Sequence, residues 1–152
     1  TFQVVYTIKY FNLPNPTYRY VPSYQRSVWT YNSTMANYDV EKGISNSIYS
    51  MNLLYELLKK HNIKLNLAVY PLPNQILYDK KDSKQARIWK DFCYSKCNRF
   101  INYFDYIFED KANLNLQEAK KIIYFLYLKG DMHLSLEGHT FFANILLNQI
   151  KN

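Results

Sequence analysis

Apolar residues along the chain follow a two-residue period in some stretches and a helical period in others. The first eleven residues, TFQVVYTIKYF, are rich in β-branched and aromatic residues and predict a strand of about five to seven residues. Residues 12–40 then carry Pro14, Pro16 and Pro22 among many aromatic residues. Because proline removes backbone donors, this stretch predicts a long irregular loop.

Beyond residue 40, stretches with the helical period alternate with stretches that predict strands. The predicted elements are helix 44–61, strand 65–69, helix 83–99, strand 100–108, helix 116–128 and helix 135–150. A helix followed by a short loop and a strand is typical of a parallel α/β sheet. We therefore predict one α/β domain over residues 1–152, with three layers and a mostly parallel sheet. In this interpretation residues 1–40 are an irregular aromatic-rich segment and residues 44–152 form the α/β core.

Several residues predict where helices begin and end. Asp39 or Ser45 is suited to begin the helix of residues 44–61, and Asn62 is suited to a left-handed stop after it. Gly130 is expected to close the helix of residues 116–128, and Ser135 to cap the last helix.

Composition excludes several classes of protein. Hydrophobic residues make up 48% of the 152 residues, which is far too apolar for intrinsic disorder. Only three glycines are present, so a glycine-rich phosphate loop is excluded. The net charge of +7 is dispersed with no run of five basic residues, and we expect no nucleic-acid partner. No apolar run approaches about 20 residues, so we expect no membrane span.

The two cysteines, Cys93 and Cys97, are four residues apart within a predicted helix. Helical geometry places their Cα atoms roughly 6 Å apart, at the edge of good disulfide geometry. We therefore favour two half-buried thiols over a disulfide. With no further Cys or His nearby, the pair is weak support for zinc, and no redox compartment follows from it.

The stretch KGDMHLSLEGH concentrates chemically active side chains in a loop before the last helix. Asp131 and His133 have the types needed for a general base and for the carboxylate that fixes its tautomer. Two alternatives stay open: Asp131 caps a turn beside an exposed His133, or both bind a metal together with His139. Gly138, in the first turn of the last helix, suggests close approach of another segment such as the loop of residues 131–133.

The segment GDMHLSLEGHTFFANIL resembles the final block of the SGNH (GDSL-like) hydrolases. LNLAVYPLPNQI and WKDFCYSKCNRFINYFDYIF are similar to the last two strands of that superfamily and the helix between them, so the resemblance covers about residues 65–150. It implies an SGNH/flavodoxin-like fold and a serine-type acyl-ester hydrolase or acyl transferase. In that case His133 is the general base and Asp131 orients it. The implied substrate is a small-molecule or carbohydrate ester, and no metal or cofactor is implied.

The chain departs from this family where the nucleophile is expected. It has no Gly-Asp-Ser motif and no Gly-x-Asn-Asp block. We therefore expect the C-terminal portion of a longer hydrolase, incomplete at the N-terminus and by itself essentially inactive. The alternative is a non-catalytic α/β binding module or pseudoenzyme that contacts a glycan or polyanion. The sequence indicates neither compartment nor oligomeric state.

Overall fold

The computed structural model describes residues 25–151. The strand predicted within residues 1–11 lies outside the described residues, and so does the part of the predicted loop at residues 12–24. The elements are α1 (Gln25–Tyr31), α2 (Val40–Lys60), β1 (Asn66–Val69), α3 (Pro73–Tyr78), α4 (Lys84–Cys93), β2 (Arg99–Asn102), α5 (Tyr103–Phe108), α6 (Leu116–Leu126) and α7 (Leu136–Lys151). A short 3₁₀ turn, Ser33–Met35, follows α1.

The sheet is much smaller than predicted. Strands β1 and β2 run parallel, with Asn66 opposite Arg99 and Val69 opposite Asn102, and they form a sheet of two strands within residues 25–151. The predicted three-layer, mostly parallel sheet is therefore wrong, since the described chain is mostly helical. The predicted connection does hold, because helical segments α3 and α4 join the two parallel strands.

The largest local error is at residues 100–108, where aromatic and branched residues predicted one long strand. The strand ends at Asn102, whose side-chain oxygen accepts a hydrogen bond from the Phe104 amide and begins α5. Four side chains of α5 are buried. They form two pairs that are four residues apart, as on one face of a helix: Tyr103 with Ile107, and Phe104 with Phe108. Strand propensity mainly reflects how side chains pack against their neighbours. Here the same apolar side chains are buried by packing as a helix.

Two other helices lie in segments that were predicted to be loops. The first is α1, which occupies part of the predicted irregular stretch of residues 12–40. The second is α3, with Pro73 at its first helical position, where the missing N–H costs nothing. The side chain of Gln75 returns to accept a hydrogen bond from the Leu72 amide at 2.8 Å, which satisfies a donor at the start of the helix.

Three of the predicted helix boundaries are confirmed. Asp39 accepts a hydrogen bond from the Lys42 amide at the start of α2, and Asn62 adopts a φ of 56° after its end. Ser135 accepts from the Gly138 amide at 2.9 Å and so caps α7. The helix that was predicted to continue to residue 128 ends instead at Leu126.

The favoured prediction of two free thiols is wrong, because Cys93 and Cys97 are joined in a disulfide. Helix α4 ends at Cys93 instead of continuing to residue 99, and the chain turns after it. The turn brings the two Cα atoms to 4.6 Å, within the range that disulfides span. A continuous helix would have held them farther apart.

One hydrophobic core joins the strands to the helices on the C-terminal side. Its buried members include Val69, Ile76, Ile101, Phe104, Phe108, Ala119, Leu126, Tyr127 and Phe142. Helix α2 stands apart from this core, since none of its 21 residues is buried. Neither α2 nor any other described helix has the length and apolar character needed to cross a membrane.

Candidate functional site

The loop that carries Asp131 and His133 is closed at its base by a short antiparallel pairing. Tyr127 and Leu134 form a β-bridge between the end of α6 and the start of α7. The Ser135 amide donates to the Leu126 carbonyl at 2.9 Å, and the Leu128 amide donates to the His133 carbonyl at 2.9 Å. The loop is therefore held by backbone hydrogen bonds at both of its ends.

A tight turn within this loop brings Asp131 back toward Leu128. The Asp131 amide donates to the Leu128 carbonyl at 3.0 Å, and Gly130 has a φ of +74° in the turn. That backbone region is open to glycine but strained for most other residues. Gly130 therefore adopts the backbone conformation that this turn requires. The prediction that it closes the preceding helix is wrong.

The turn places the carboxylate of Asp131 against the ring of His133. Nδ1 of His133 and Oδ1 of Asp131 are 2.9 Å apart. The same Oδ1 accepts a hydrogen bond from the Met132 amide at 2.6 Å. We call Asp131 and His133 the dyad. Asp131 therefore caps a turn and also contacts the imidazole of His133.

The contacts of the dyad set its charge and tautomer. The hydrogen bond from the imidazole, followed by that from the Met132 amide, holds the pKa of Asp131 below its ordinary value. The carboxylate is then an acceptor only, so the proton of a neutral imidazole lies on Nδ1. Nε2 of His133 is left as the basic nitrogen, with its lone pair available.

The dyad is open to solvent. The His133 side chain is 76% exposed and that of Asp131 47% exposed. Within residues 25–151 no hydrogen bond to Nε2 of His133 is found. A reacting group that approaches from outside the described residues can therefore reach Nε2 directly.

No described serine fills the position of a nucleophile beside the dyad. Ser135 is committed to capping, because its hydroxyl donates to the Phe125 carbonyl at 2.6 Å and accepts from the Gly138 amide. Ser27 is 1% exposed, and its hydroxyl has no hydrogen-bond partner among the described residues. Neither hydroxyl bonds to His133 in the part of the chain that the structure describes.

Two contacts with residues that are distant in sequence hold the dyad loop, one just beyond β1 and one on α1. The hydroxyl of Tyr127 donates to the buried carbonyl of Pro71, just beyond β1, and burial raises the pKa of Tyr127. The guanidinium of Arg26, on α1, lies 3.5 Å from the sulfur of Met132. The site therefore lies near the carboxyl end of a parallel strand, where functional loops of such sheets gather. These contacts span 56 and 106 residues of sequence, so no local pattern could have revealed them.

The close approach at Gly138 is confirmed, but its partner differs from the one expected. A Cβ atom at this position would lie 2.8 Å from the carbonyl carbon of Leu126 and closer still to its oxygen. Gly138 therefore packs against the end of α6 and not against the loop of residues 131–133. His139, next to it, is exposed. Over residues 25–151 no three His, Cys, Asp or Glu side chains converge as a metal site would require.

Two cavities are lined by residues other than those of the dyad. The first, which we call the groove, has a volume of about 570 Å³ between α1, α2, β1 and α4. Its lining comprises Arg26, Trp29, Tyr38, Val40, Gly43, Ile44, Ser47, Leu67, Ala68, Val69, Tyr70, Leu72, Gln85, Ile88 and Trp89.

The second, which we call the basic cavity, has a volume of about 590 Å³ beside β2. Five cationic side chains line it: Lys80, Lys81, Arg87, Lys90 and Lys111. Asp82, Asp105 and Asp110 partly offset their charge.

In comparisons with known proteins, the chain matches no family model, no curated protein and no solved structure. The resemblance of the dyad segment to the SGNH hydrolases therefore stays a prediction, and so does the role that it implies for each residue.

Proposed function

We propose that the dyad is the base half of a serine-type acyl-ester hydrolase or acyl transferase of the SGNH kind. The observation that carries this proposal is the 2.9 Å contact of His133 Nδ1 with Asp131 Oδ1, which leaves Nε2 exposed and without a partner within residues 25–151. A general base in acyl transfer needs that arrangement, with one ring nitrogen fixed by a carboxylate and the other free.

The proposed reaction begins when a serine hydroxyl, supplied from outside residues 25–151, attacks the ester carbonyl. Nε2 of His133 accepts the hydroxyl proton as the new C–O bond forms, and Asp131 stabilises the imidazolium charge. The tetrahedral intermediate then collapses, the ester C–O bond breaks, and the imidazolium returns the proton to the leaving alkoxide. Water, or an acceptor alcohol, releases the acyl group in a second attack that repeats the same proton transfers.

The substrate class proposed, a small-molecule or carbohydrate ester, is the one that the resemblance to the SGNH hydrolases implies. This chemistry uses only side chains and the ester, and the proposal requires no cofactor. The exposed position of His133 also suits a site that is completed by another segment, which would cover the imidazole and supply the oxyanion donors.

The test measures hydrolysis of p-nitrophenyl acetate by the protein at its full natural length. We expect His133→Ala to lower kcat by about 10⁴-fold or more, as loss of a triad member does. The matched control is His139→Ala, which removes an exposed imidazole six residues away and is expected to leave kcat unchanged. Wild-type turnover in His133→Ala would refute the assignment.

A second variant separates chemistry from loop structure. Asp131→Asn keeps an acceptor for the Met132 amide but loses the charge and can hold the wrong imidazole tautomer. We expect kcat to fall by about 10⁴-fold while KM changes little. If kcat stays near that of the parent, Asp131 is only the cap of a turn.

A second candidate function, a non-catalytic module that contacts a polyanion, is favoured by the basic cavity. Arg87 is paired with Asp82, Lys111 with Glu118, and the ammonium of Lys81 donates to the Glu109 carbonyl. The ammonium groups of Lys80 and Lys90 make neither kind of contact among the described residues. Two such lysines beside one cavity suit a sulfated glycan or a polyphosphate.

This alternative is tested by binding of a heparin-type glycan as salt is varied. We expect Lys80→Gln with Lys90→Gln to weaken binding severalfold if the cavity is the site, and a matched pair, Lys59→Gln with Lys60→Gln on α2, to change it less. Binding that is equal in both double variants would assign the interaction to general charge.

A further inference from the structure

Arg26 brings a positive charge to the dyad loop. Its guanidinium nitrogen Nη1 lies 3.5 Å from the sulfur of Met132, the residue between Asp131 and His133. A thioether sulfur is a weak, uncharged acceptor, whereas a guanidinium has five N–H donors and is always charged. The contact with Met132 therefore places Arg26 beside the dyad but does not neutralise its charge.

The packing of α1 fixes the backbone that carries Arg26. Ser27 and Val28, the next two residues of this helix, are each 1% exposed. Arg26 itself is exposed among the described residues. The side-chain amide of Gln75, on α3, donates to the hydroxyl of Thr30 at 3.3 Å and so joins α1 to the helix that follows β1. Only the side chain of Arg26 therefore has to adjust when it meets a ligand.

Within residues 25–151, Arg26 takes part in no ion pair. Residues 1–24 cannot supply one through a side chain, because all 12 Asp and Glu residues of the sequence lie between Asp39 and Glu137. Asp131, the carboxylate of the dyad, already accepts from the imidazole and from the Met132 amide. The charge of Arg26 is therefore not compensated by any Asp or Glu side chain of this sequence.

We propose that Arg26 binds a carboxylate of the substrate, so that the dyad acts on an ester that also carries an ionised acid group. This inference rests on the proposed function. The planar fork of a guanidinium matches the two oxygens of a carboxylate, and the two groups carry equal and opposite charges. The reaction itself favours this pairing. When Nε2 of His133 takes up the serine proton, the imidazolium and the guanidinium repel each other, and a bound carboxylate offsets that repulsion.

The first experiment compares esters that differ in charge but not in shape. The 3- and 4-acetoxybenzoates carry a carboxylate, and the 3- and 4-acetoxybenzamides carry a neutral amide in its place. The rigid ring also keeps the carboxylate from attacking the ester of its own molecule. We expect Arg26→Gln, in the protein at its full natural length, to lower kcat/KM for at least one benzoate by about 10- to 100-fold. That is the effect of losing a charge-assisted hydrogen bond, and both benzamides should be unaffected.

The matched control is Lys129→Gln, which removes another exposed cation from the same loop. We expect it to change the rates for the benzoates much less, because the charge of an exposed lysine is screened by water and salt. A loss as large as that in Arg26→Gln would assign the preference to general positive charge, and the proposal would be wrong. Equal losses for benzoates and benzamides in Arg26→Gln would also refute it, because Arg26 would then act on what both esters share.

A binding experiment separates this inference from the proposed function. In NMR titrations with the products 3- and 4-hydroxybenzoate, we expect at least one to shift the signals of the Met132 methyl group and the His133 ring. Arg26→Gln should weaken that binding about tenfold or more. This result in a protein that hydrolyses none of the esters would refute the proposed function but support the carboxylate site. Unshifted signals in the parent protein, or equal binding in Arg26→Gln, would overturn the site whatever the rates of hydrolysis.

Discussion

The contact between Gly138 and the end of α6 allows a quantitative prediction. Replacing Gly138 with Ala gains about 1 kcal/mol of helix propensity. The new Cβ, however, would lie 2.8 Å from the carbonyl carbon of Leu126, closer than packed atoms allow. Because the obstructing atoms belong to the backbone, α7 itself must move away from α6.

That movement has two costs. Overpacking against a fixed neighbour costs about 1–3 kcal/mol. Separation of the helices also weakens the hydrogen bond from the Ser135 amide to the Leu126 carbonyl, which contributes about 1 kcal/mol. Against the gain in propensity, we expect Gly138→Ala to lower the free energy of unfolding by about 1–3 kcal/mol.

The assay is urea unfolding followed by circular dichroism, together with the thermal midpoint. For a chain of this length the expected loss corresponds to a fall of about 2–12 °C. Thr140→Ala, at an exposed position two residues further along α7, is the matched control and should be neutral or slightly stabilising. A Gly138→Ala protein as stable as the parent would show that the two helices do not meet at this point.

Three further predictions follow from the loop and the disulfide. Tyr127→Phe leaves the buried Pro71 carbonyl without its donor, and urea unfolding should show a loss of about 1–3 kcal/mol. The lowered pKa of Asp131 means that its ionised form stabilises the loop above the ordinary value near pH 4, and that this contribution is lost as the pH falls through the lowered value. An NMR titration of this carboxyl should therefore give a midpoint below 3.8, and removal of the imidazole of the dyad should raise it. Replacing Cys93 and Cys97 together by Ala should cost about 2 kcal/mol, the loop-closure entropy of so short a disulfide loop, and an unchanged unfolding curve would contradict this.

Signals that act within one turn of the chain were predicted from the sequence. Asp39 and Ser135 each bond to an amide three residues later, and Asn62 adopts a positive φ, which asparagine tolerates better than most residues. The contact within the dyad belongs to the same class, because its two residues are only two positions apart. Such features need no knowledge of the rest of the fold.

Features that depend on what surrounds a segment were not predicted. The aromatic run from Tyr103 to Phe108 suits a strand by propensity, yet it folds into a buried helix that packs within the core. The disulfide was missed because its geometry depends on α4 ending at Cys93, which the periodicity of the segment did not indicate. The anchor between Tyr127 and Pro71 crosses 56 residues, and only the tertiary structure brings the two together.

The dyad also differs from catalytic pairs whose carboxylate and imidazole come from distant elements. Here both side chains, the turn between them and the backbone bridge below them belong to residues 126–135, and neighbouring helices α6 and α7 hold that stretch. The alignment of the carboxylate with the imidazole therefore depends largely on one helix–loop–helix segment. Transplanted between two helices of an unrelated scaffold, this segment should keep its carboxylate–imidazole geometry if the scaffold also supplies an acceptor for the hydroxyl of Tyr127, which the Pro71 carbonyl provides here.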